Sequence, residues 1–179
     1  MKKVILIIAM AILPMISQAQ SYFDSLEDQD DITSVIVNAN MFNLMSKIDV
    51  STDDPEAQEY LDLIKDITSL KVFVSKEGAS TTKMKSMLNQ YLKKSNLQEL
   101  MRIKDGDNNV KFFMKEGSNP NRVSELLMFV QGAELKLEGK KAETVLLTLT
   151  GDFDLNKVSK LTKEMNIPGG EHLKKVKKK

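Results

Sequence analysis

Hydrophobic positions recur along this chain with two periods, and each period predicts one kind of secondary structure. In the clearest segment, Val145, Leu147 and Leu149 alternate with threonines, which is typical of a strand with one buried face. Similar apolar or alternating segments predict strands at 32–37, 70–74, 97–104, 110–115, 123–130 and 144–150. Spacings of three and four predict helices at 41–48, 55–67, 78–92 and 155–165.

The order of these segments decides the fold class. Four successive strands joined by short turns favour antiparallel pairing. The sequence therefore predicts an α+β fold, a two-layer sandwich with a mixed, mainly antiparallel sheet of about six strands and helices packed on one face. We expect the apolar positions 70/72/74, 110/112/114 and 145/147/149 to meet helices 84–92 and 155–165. The other face carries Phe73, Phe113 and Leu100 among lysines, and we expect it to be exposed.

Two further patterns predict local structure. The helix at 41–48 is apolar on more than one side, which predicts that it is well buried. The segment Gly151–Asp154 predicts a corner after the last strand, with Asp154 as the cap of the following helix.

The segment from Asp105 to Glu116 allows two interpretations. The Asp105-Gly106 step predicts a hairpin turn, because such turns need positive φ. Alternatively, Asp105, Asp107, Asn109 and Glu116 match four liganding positions of an EF-hand calcium loop. The loop needs glycine where Val110 stands and helices on both sides, so the hairpin is favoured.

The ends of the chain differ from its middle. Lys2 and Lys3, an apolar run and Ser17-Gln18-Ala19 predict a signal peptide at 1–19, cleaved near Ala19-Gln20. We expect one domain over 20–170 and a periplasmic or secreted protein. The basic tail at 171–179 is predicted to be disordered, with weak contact to anionic membrane as the alternative.

Composition excludes several classes of function. The chain has no cysteine, which excludes disulfides, thiolate metal sites and a lipid-modified cysteine. Without the signal peptide, 24 basic residues face 25 acidic ones, a formal net charge of −1 instead of +1. Near-neutrality argues against a nucleic-acid partner.

Candidate chemistry is sparse. The single histidine, His172, cannot form a Ser-His-Asp triad or a histidine metal cluster. Asp152 and Asp154 could act as an acid–base pair, but a turn residue and a helix cap explain them better. We therefore predict no catalytic residues, no cofactor and no metal site. Asp24-Ser25-Leu26 resembles a short acceptor pattern for O-glycosylation, a pattern that is common by chance.

Four segments carry a family resemblance. Glu125–Val130 and Leu146–Leu155, together with Ile32–Val37 and Met41–Met45, resemble an uncharacterised family of exported Bacteroidetes proteins, domain of unknown function 4252. The resemblance covers most of the mature chain and implies no catalytic residue. It implies an envelope location and, by the association of related genes with extracytoplasmic-function sigma factors, a link to envelope-stress signalling. Many relatives look like lipoproteins, and this chain lacks the cysteine that lipidation requires.

Three hypotheses for the function follow. The first, which we favour, is a non-enzymatic envelope protein that binds an unknown envelope protein. The second is a carrier or sensor of a small apolar ligand, held in a cavity lined by Met41, Met45, Met84 and Met87. The third is a hydrolase that uses Asp152 and Asp154.

Overall fold

The computed structural model describes residues 22–47, 55–76, 78–137 and 140–154. The described helices and strands are, in order, β1 (Ile32–Asn38), α1 (Ala39–Ser46), α2 (Pro55–Asp66), β2 (Ile67–Ser75), α3 (Gly78–Lys94), β3 (Gln98–Asp105), β4 (Asn108–Glu116), β5 (Arg122–Leu137) and β6 (Lys140–Asp154). The α+β class and the six-stranded sheet are confirmed.

The six strands form one sheet in the order β1-β2-β6-β5-β4-β3. Every pairing between neighbouring strands of this sheet is antiparallel. Val72 lies opposite Leu147, which lies opposite Met128, so the alternation in the sequence does mark one face of the sheet. The strands β1 and β3 are the two edges.

Helices cover both faces of this sheet, whereas the sequence suggested helices on one face. On the first face, Phe42 of α1 and Leu63 and Ile64 of α2 are buried in one core with the positions 70, 110, 112, 145, 147 and 149. On the second face, Met84 and Leu88 of α3 are buried in another core. The reason lies in β5, where every residue from Leu126 to Val130 is apolar and buried, so both faces of the strand need cover.

The second face is therefore a core and not an exposed surface. Phe73 is fully buried and Phe113 nearly so, both in the core that includes Met84 of α3. The expectation that they are exposed is wrong, because α3 covers this face and not the face of 145/147/149. Leu100 is partly buried against the first core.

A short strap at residues 22–31 closes the second core. Its single 3₁₀ turn, Asp24–Leu26, holds Phe23 and Leu26 fully buried. The Phe23 ring lies 5.1 Å from the ring of Tyr91 of α3, between centroids. The strap thus packs its apolar side chains against α3, the helix that follows β2 in the chain.

Lys71 of β2 fastens this strap. Its ammonium group contacts the Asp24 carboxylate and lies 3.0 Å from Oε1 of Glu27. Burial by itself lowers the pKa of Lys71, but hydrogen bonds and charge from Asp24 and Glu27 outweigh it, so the pKa is raised. The lysine is therefore charged at neutral pH and bridges the strap to the sheet.

Loss of the Lys71 charge is expected to loosen the strap. Lys71→Met keeps the apolar stem and removes the charge, so we expect the free energy of unfolding to fall by about 1 kcal/mol, because Asp24 and Glu27 stay partly solvated. We also expect faster proteolysis within residues 22–31. Urea unfolding and timed digestion measure the two effects. Lys93→Met on the exposed side of α3 is the control, and equal digestion of both variants would contradict the assignment.

The segment from Asp105 to Glu116 is a hairpin, as favoured. Asp105 pairs with Asn108, and Gly106 has φ of 54°, the left-handed conformation that glycine adopts without strain. Strands flank the turn where a calcium loop has helices, and Glu116 lies at the far end of β4. In the hairpin between β5 and β6, Leu137 pairs with Lys140, and the register shifts between Gln131 and Leu135, beside Gly132.

The corner predicted at Gly151–Asp154 is instead the end of β6. Phe153 pairs with Val123 and is fully buried, which explains why the strand continues. The signal peptide at 1–19, the helix at 155–165 and the tail at 171–179 lie outside the described residues, so these predictions stay predictions.

Candidate interaction surface

The edge strand β1 exposes apolar side chains on both faces of the sheet. It pairs with β2 on one side, and Val35 opposite Val72 points to the first face while Ile36 opposite Lys71 points to the second. The side chain of Val35 is 53% exposed and that of Ile36 is 41% exposed. Among the described strands, none pairs with the outer side of β1. Its backbone groups there are open to another strand.

Helix α1 extends this apolar surface. Oδ1 of Asn38 accepts hydrogen bonds from the backbone N–H of Asn40 at 3.1 Å and of Met41 at 3.2 Å, which caps the helix directly after β1. Phe42 then points into the first core, whereas Met41 is 49% and Leu44 60% exposed. The expectation that this helix is well buried is wrong, because only one of its sides faces the sheet.

We call Val35, Ile36, Met41 and Leu44 the β1 patch. These are the large hydrophobic residues that stand out as exposed among the described residues. The patch lies in residues 32–46, which contain no Asp, Glu, Lys or Arg. At 28% charged residues, a stretch of this length would carry about four charges. The missing charges are the sequence signal that could have located this surface.

The opposite edge of the sheet is protected in the way that natural edges usually are. On β3, exposed Glu99 and Arg102 form an ion pair, with Nη2 and Oε2 2.6 Å apart, and Lys104 is exposed too. The register also shifts between Glu99 and Met101, which indicates a bulge. Charges and bulges deter pairing with foreign strands. The strand β1 has neither a charge nor a register shift along its seven residues.

A buried polar pair joins α3 to β5 away from this edge. The hydroxyl of Tyr91 lies 2.8 Å from Oε1 and 2.9 Å from Oε2 of Glu125, and both side chains are buried. Burial raises the pKa of Glu125, while the Tyr91 hydrogen bond and the charge of Lys115 act against this shift. The pKa of Tyr91 is raised, mainly by burial and further by the charge and the hydrogen bond of Glu125. The pair fastens α3 to the sheet.

Asp152, one of the two suggested catalytic carboxylates, fastens a turn. Its Oδ1 accepts from the backbone N–H of Ser118 at 3.0 Å, and its Oδ2 accepts from the Ser118 hydroxyl at 2.7 Å. These two bonds, with the nearby Arg122, hold its pKa below the ordinary value. A carboxylate with a lowered pKa is a weak base, so this geometry serves structure better than proton transfer.

The four methionines proposed for a ligand cavity do not meet. Met45 of α1 packs on the first core, whereas Met84 and Met87 of α3 pack on the second core under the strap. Met41 is exposed at the edge. The sheet separates the two pairs, so a cavity lined by all four is wrong. Within the residues described, no three His, Cys, Asp or Glu side chains are grouped to hold a metal ion.

The glycosylation pattern at Asp24-Ser25-Leu26 lies in the strap. Ser25 is exposed, but Leu26 is fully buried and Asp24 is paired with Lys71. An enzyme that reads the flanking side chains would meet Ser25 and the paired Asp24 at the surface, but not the buried Leu26.

Over the described residues, the fold and this surface define an α+β protein with a six-stranded antiparallel sheet whose edge strand β1 carries no charged residue. The chain matches the family described as domain of unknown function DUF4252 over residues 22–161, so it belongs to that family, which confirms the resemblance. No curated protein and no solved structure matches the chain. Among the helices described, none is long and apolar enough to cross a membrane.

Proposed function

We propose that this protein is a non-enzymatic interaction module of the cell envelope that binds a polypeptide by strand addition to β1. One observation carries the proposal: β1 is an uncharged, unbulged edge strand with exposed apolar side chains. In strand addition, backbone hydrogen bonds give affinity and alternate side chains give specificity. The exposed Met41 and Leu44 beside the edge supply further apolar contact.

The location belongs to the same proposal. The pattern at residues 1–19 supports export and cleavage near Ala19-Gln20, and the absence of cysteine suits a protein released from the membrane. A role in envelope-stress signalling would require the bound polypeptide to be part of that system. The proposal does not include a catalytic step, and the geometry of Asp152 supports this.

Crosslinking in living cells tests the proposal. A photoreactive amino acid at position 36 is expected to give a covalent adduct on illumination, because Ile36 is exposed in the edge strand β1. The same amino acid at Gln98, exposed on the protected edge β3, is expected to give none.

A lysine substituted into β1 tests whether the adduct depends on strand pairing at this edge. Val35→Lys places an ammonium group in the apolar strand, and we expect loss of the adduct with an unfolding free energy changed by less than about 0.5 kcal/mol, since the side chain is exposed. Gln98→Lys is the matched control, since it adds the same charge to the other edge. Adducts of equal yield in both lysine variants would contradict strand addition at β1.

A further inference from the structure

We propose that the strand bound by β1 is β1 of a second copy of this chain, which makes the protein a symmetric dimer. This inference rests on the proposed function, since it names the partner of the same edge. Most soluble oligomers are built from identical copies, most often around a two-fold axis. An edge strand suits such an axis because two antiparallel copies of one strand can be related by a two-fold rotation. If residue i of the first copy lies opposite residue j of the second, then j of the first lies opposite i of the second.

One register pairs the whole strand. With the axis beside Val35, each Val35 lies opposite the other, and Ile36 lies opposite Ser34 of the other copy. The remaining pairs are Val37 with Thr33 and Ile32 with Asn38, so all seven residues of β1 are used. Shifting the axis to Ile36 would bring Ile32 opposite Asn40, which is already in α1. The register centred on Val35 therefore gives the longest ladder.

The side chains suit this register. On the first face, the axis brings together Val35, Val37 and Thr33, which are all β-branched residues. Such pairs stabilise neighbouring strands when they lie directly opposite each other. On the second face, the exposed Ile36 lies against the small side chain of Ser34.

The absence of charged residues around β1 also favours a second copy as the partner. When identical surfaces meet around a two-fold axis, any charge near the axis meets a like charge, which costs affinity. Residues 32–46 avoid this because they carry no charged side chain. A surface selected to recognise a charged partner would carry complementary charges, and the β1 patch carries none.

Helix α1 would contribute to the same interface. A two-fold axis perpendicular to the sheet keeps the first face of one copy beside the first face of the other. The two α1 helices would then lie on the same side of the joined sheet, flanking the axis. Their exposed Met41 and Leu44 side chains would cover the paired Val35 residues, which adds apolar burial to the backbone ladder.

Cysteine crosslinking tests the register, and the chain offers a clean background because it has no cysteine. Directly opposite residues of an antiparallel pair have Cα atoms about 4.5–5.5 Å apart, which is within the range a disulfide needs. We expect Val35→Cys, purified from the envelope and oxidised with diamide, to run at twice the monomer mass on a non-reducing gel. Gln98→Cys, exposed on β3, is expected to remain monomeric.

Sedimentation of the cysteine-free protein provides a second readout that needs no new thiol. We expect a dimer that dissociates on dilution, and we expect Ile36→Lys to be monomeric at every concentration, since each copy places its lysine next to the axis. Circular dichroism checks that each variant is folded.

The outcomes separate the two proposals. A Val35→Cys dimer together with a wild-type dimer supports this inference. A monomeric wild type whose photoreactive position 36 still captures a different protein overturns the dimer and leaves strand addition standing. A monomer that captures nothing at position 36 overturns both.

Discussion

Tyr91→Phe is expected to lower the free energy of unfolding by about 2–3 kcal/mol at pH 8. The substitution removes one hydroxyl and keeps the ring, so the packing against Phe23 is retained. What is lost is the donor that lies 2.8 and 2.9 Å from the two oxygens of Glu125. The carboxylate stays buried without this hydrogen bond, and a buried charge that loses its donor is costly.

The effect of Tyr91→Phe is expected to depend on pH through Glu125. Burial raises the pKa of Glu125 above its ordinary value of 4.5, so the folded protein holds this proton more tightly than the unfolded chain. The stability that this proton provides is present below pH 4.5 and is lost as pH rises through the folded pKa. Removing the Tyr91 hydroxyl raises that pKa further. The effect of Tyr91→Phe should therefore be small at pH 4 and large at pH 8.

Glu125→Gln is the matched variant for this pair. The amide keeps an acceptor for Tyr91 and has no charge to bury, so we expect it to match the wild type at pH 4 and to exceed its stability at pH 8. Urea unfolding at the two pH values measures both variants. If Tyr91→Phe costs the same at pH 4 as at pH 8, the carboxylate is not the group that the hydroxyl stabilises.

Gly151→Ala is expected to destabilise the protein by about 3 kcal/mol. A methyl group at position 151 would lie 2.1 Å from the carbonyl oxygen of Asp66 and 3.0 Å from Cα of Ile67. Both are backbone atoms, so relief requires the start of β2 to move away from β6. The glycine is needed for close approach of two strands.

Gly106→Ala serves as the control for this substitution. Gly106 has positive φ, and a methyl group there would meet no atom within 4 Å. Only backbone strain remains, worth roughly 1 kcal/mol. Denaturant midpoints with unchanged slopes give both values. If Gly151→Ala lowers the free energy of unfolding by no more than Gly106→Ala does, the strands β2 and β6 can move apart at little cost, which would contradict this prediction.

The positions of the strands could be predicted well from the sequence. The helices that pack on each face of the sheet could be predicted less well. Alternation in 144–150 fixes which residues share a face, because side chains along a strand point to opposite sides. It does not say which helix reaches that face. In β5, where five consecutive residues from Leu126 are apolar, both faces needed cover, and this pattern was the available sign that α3 packs opposite α1 and α2.

The candidate surface was harder to predict than the fold. The apolar residues of 41–48 indicated burial, since hydrophobic side chains on several sides of a helix usually mean a core position. Exposure of Met41 and Leu44 depends on the place of β1 at the edge, which is a property of the sheet order and not of any one segment. Glu125, a single acid at the start of an apolar strand, could have been noticed as a buried group, but its partner Tyr91 lies 34 residues away.

Hydrogen exchange along β1 tests the central claim, that this edge pairs with another strand. In an unpaired edge strand, the amide protons that point away from β2 exchange quickly with solvent. We predict that exchange within residues 33–37 slows as the wild-type protein is concentrated, while the same residues in Val35→Lys exchange rapidly at every concentration. Rapid exchange in the concentrated wild type, unchanged when envelope extract is added, would contradict strand addition at β1.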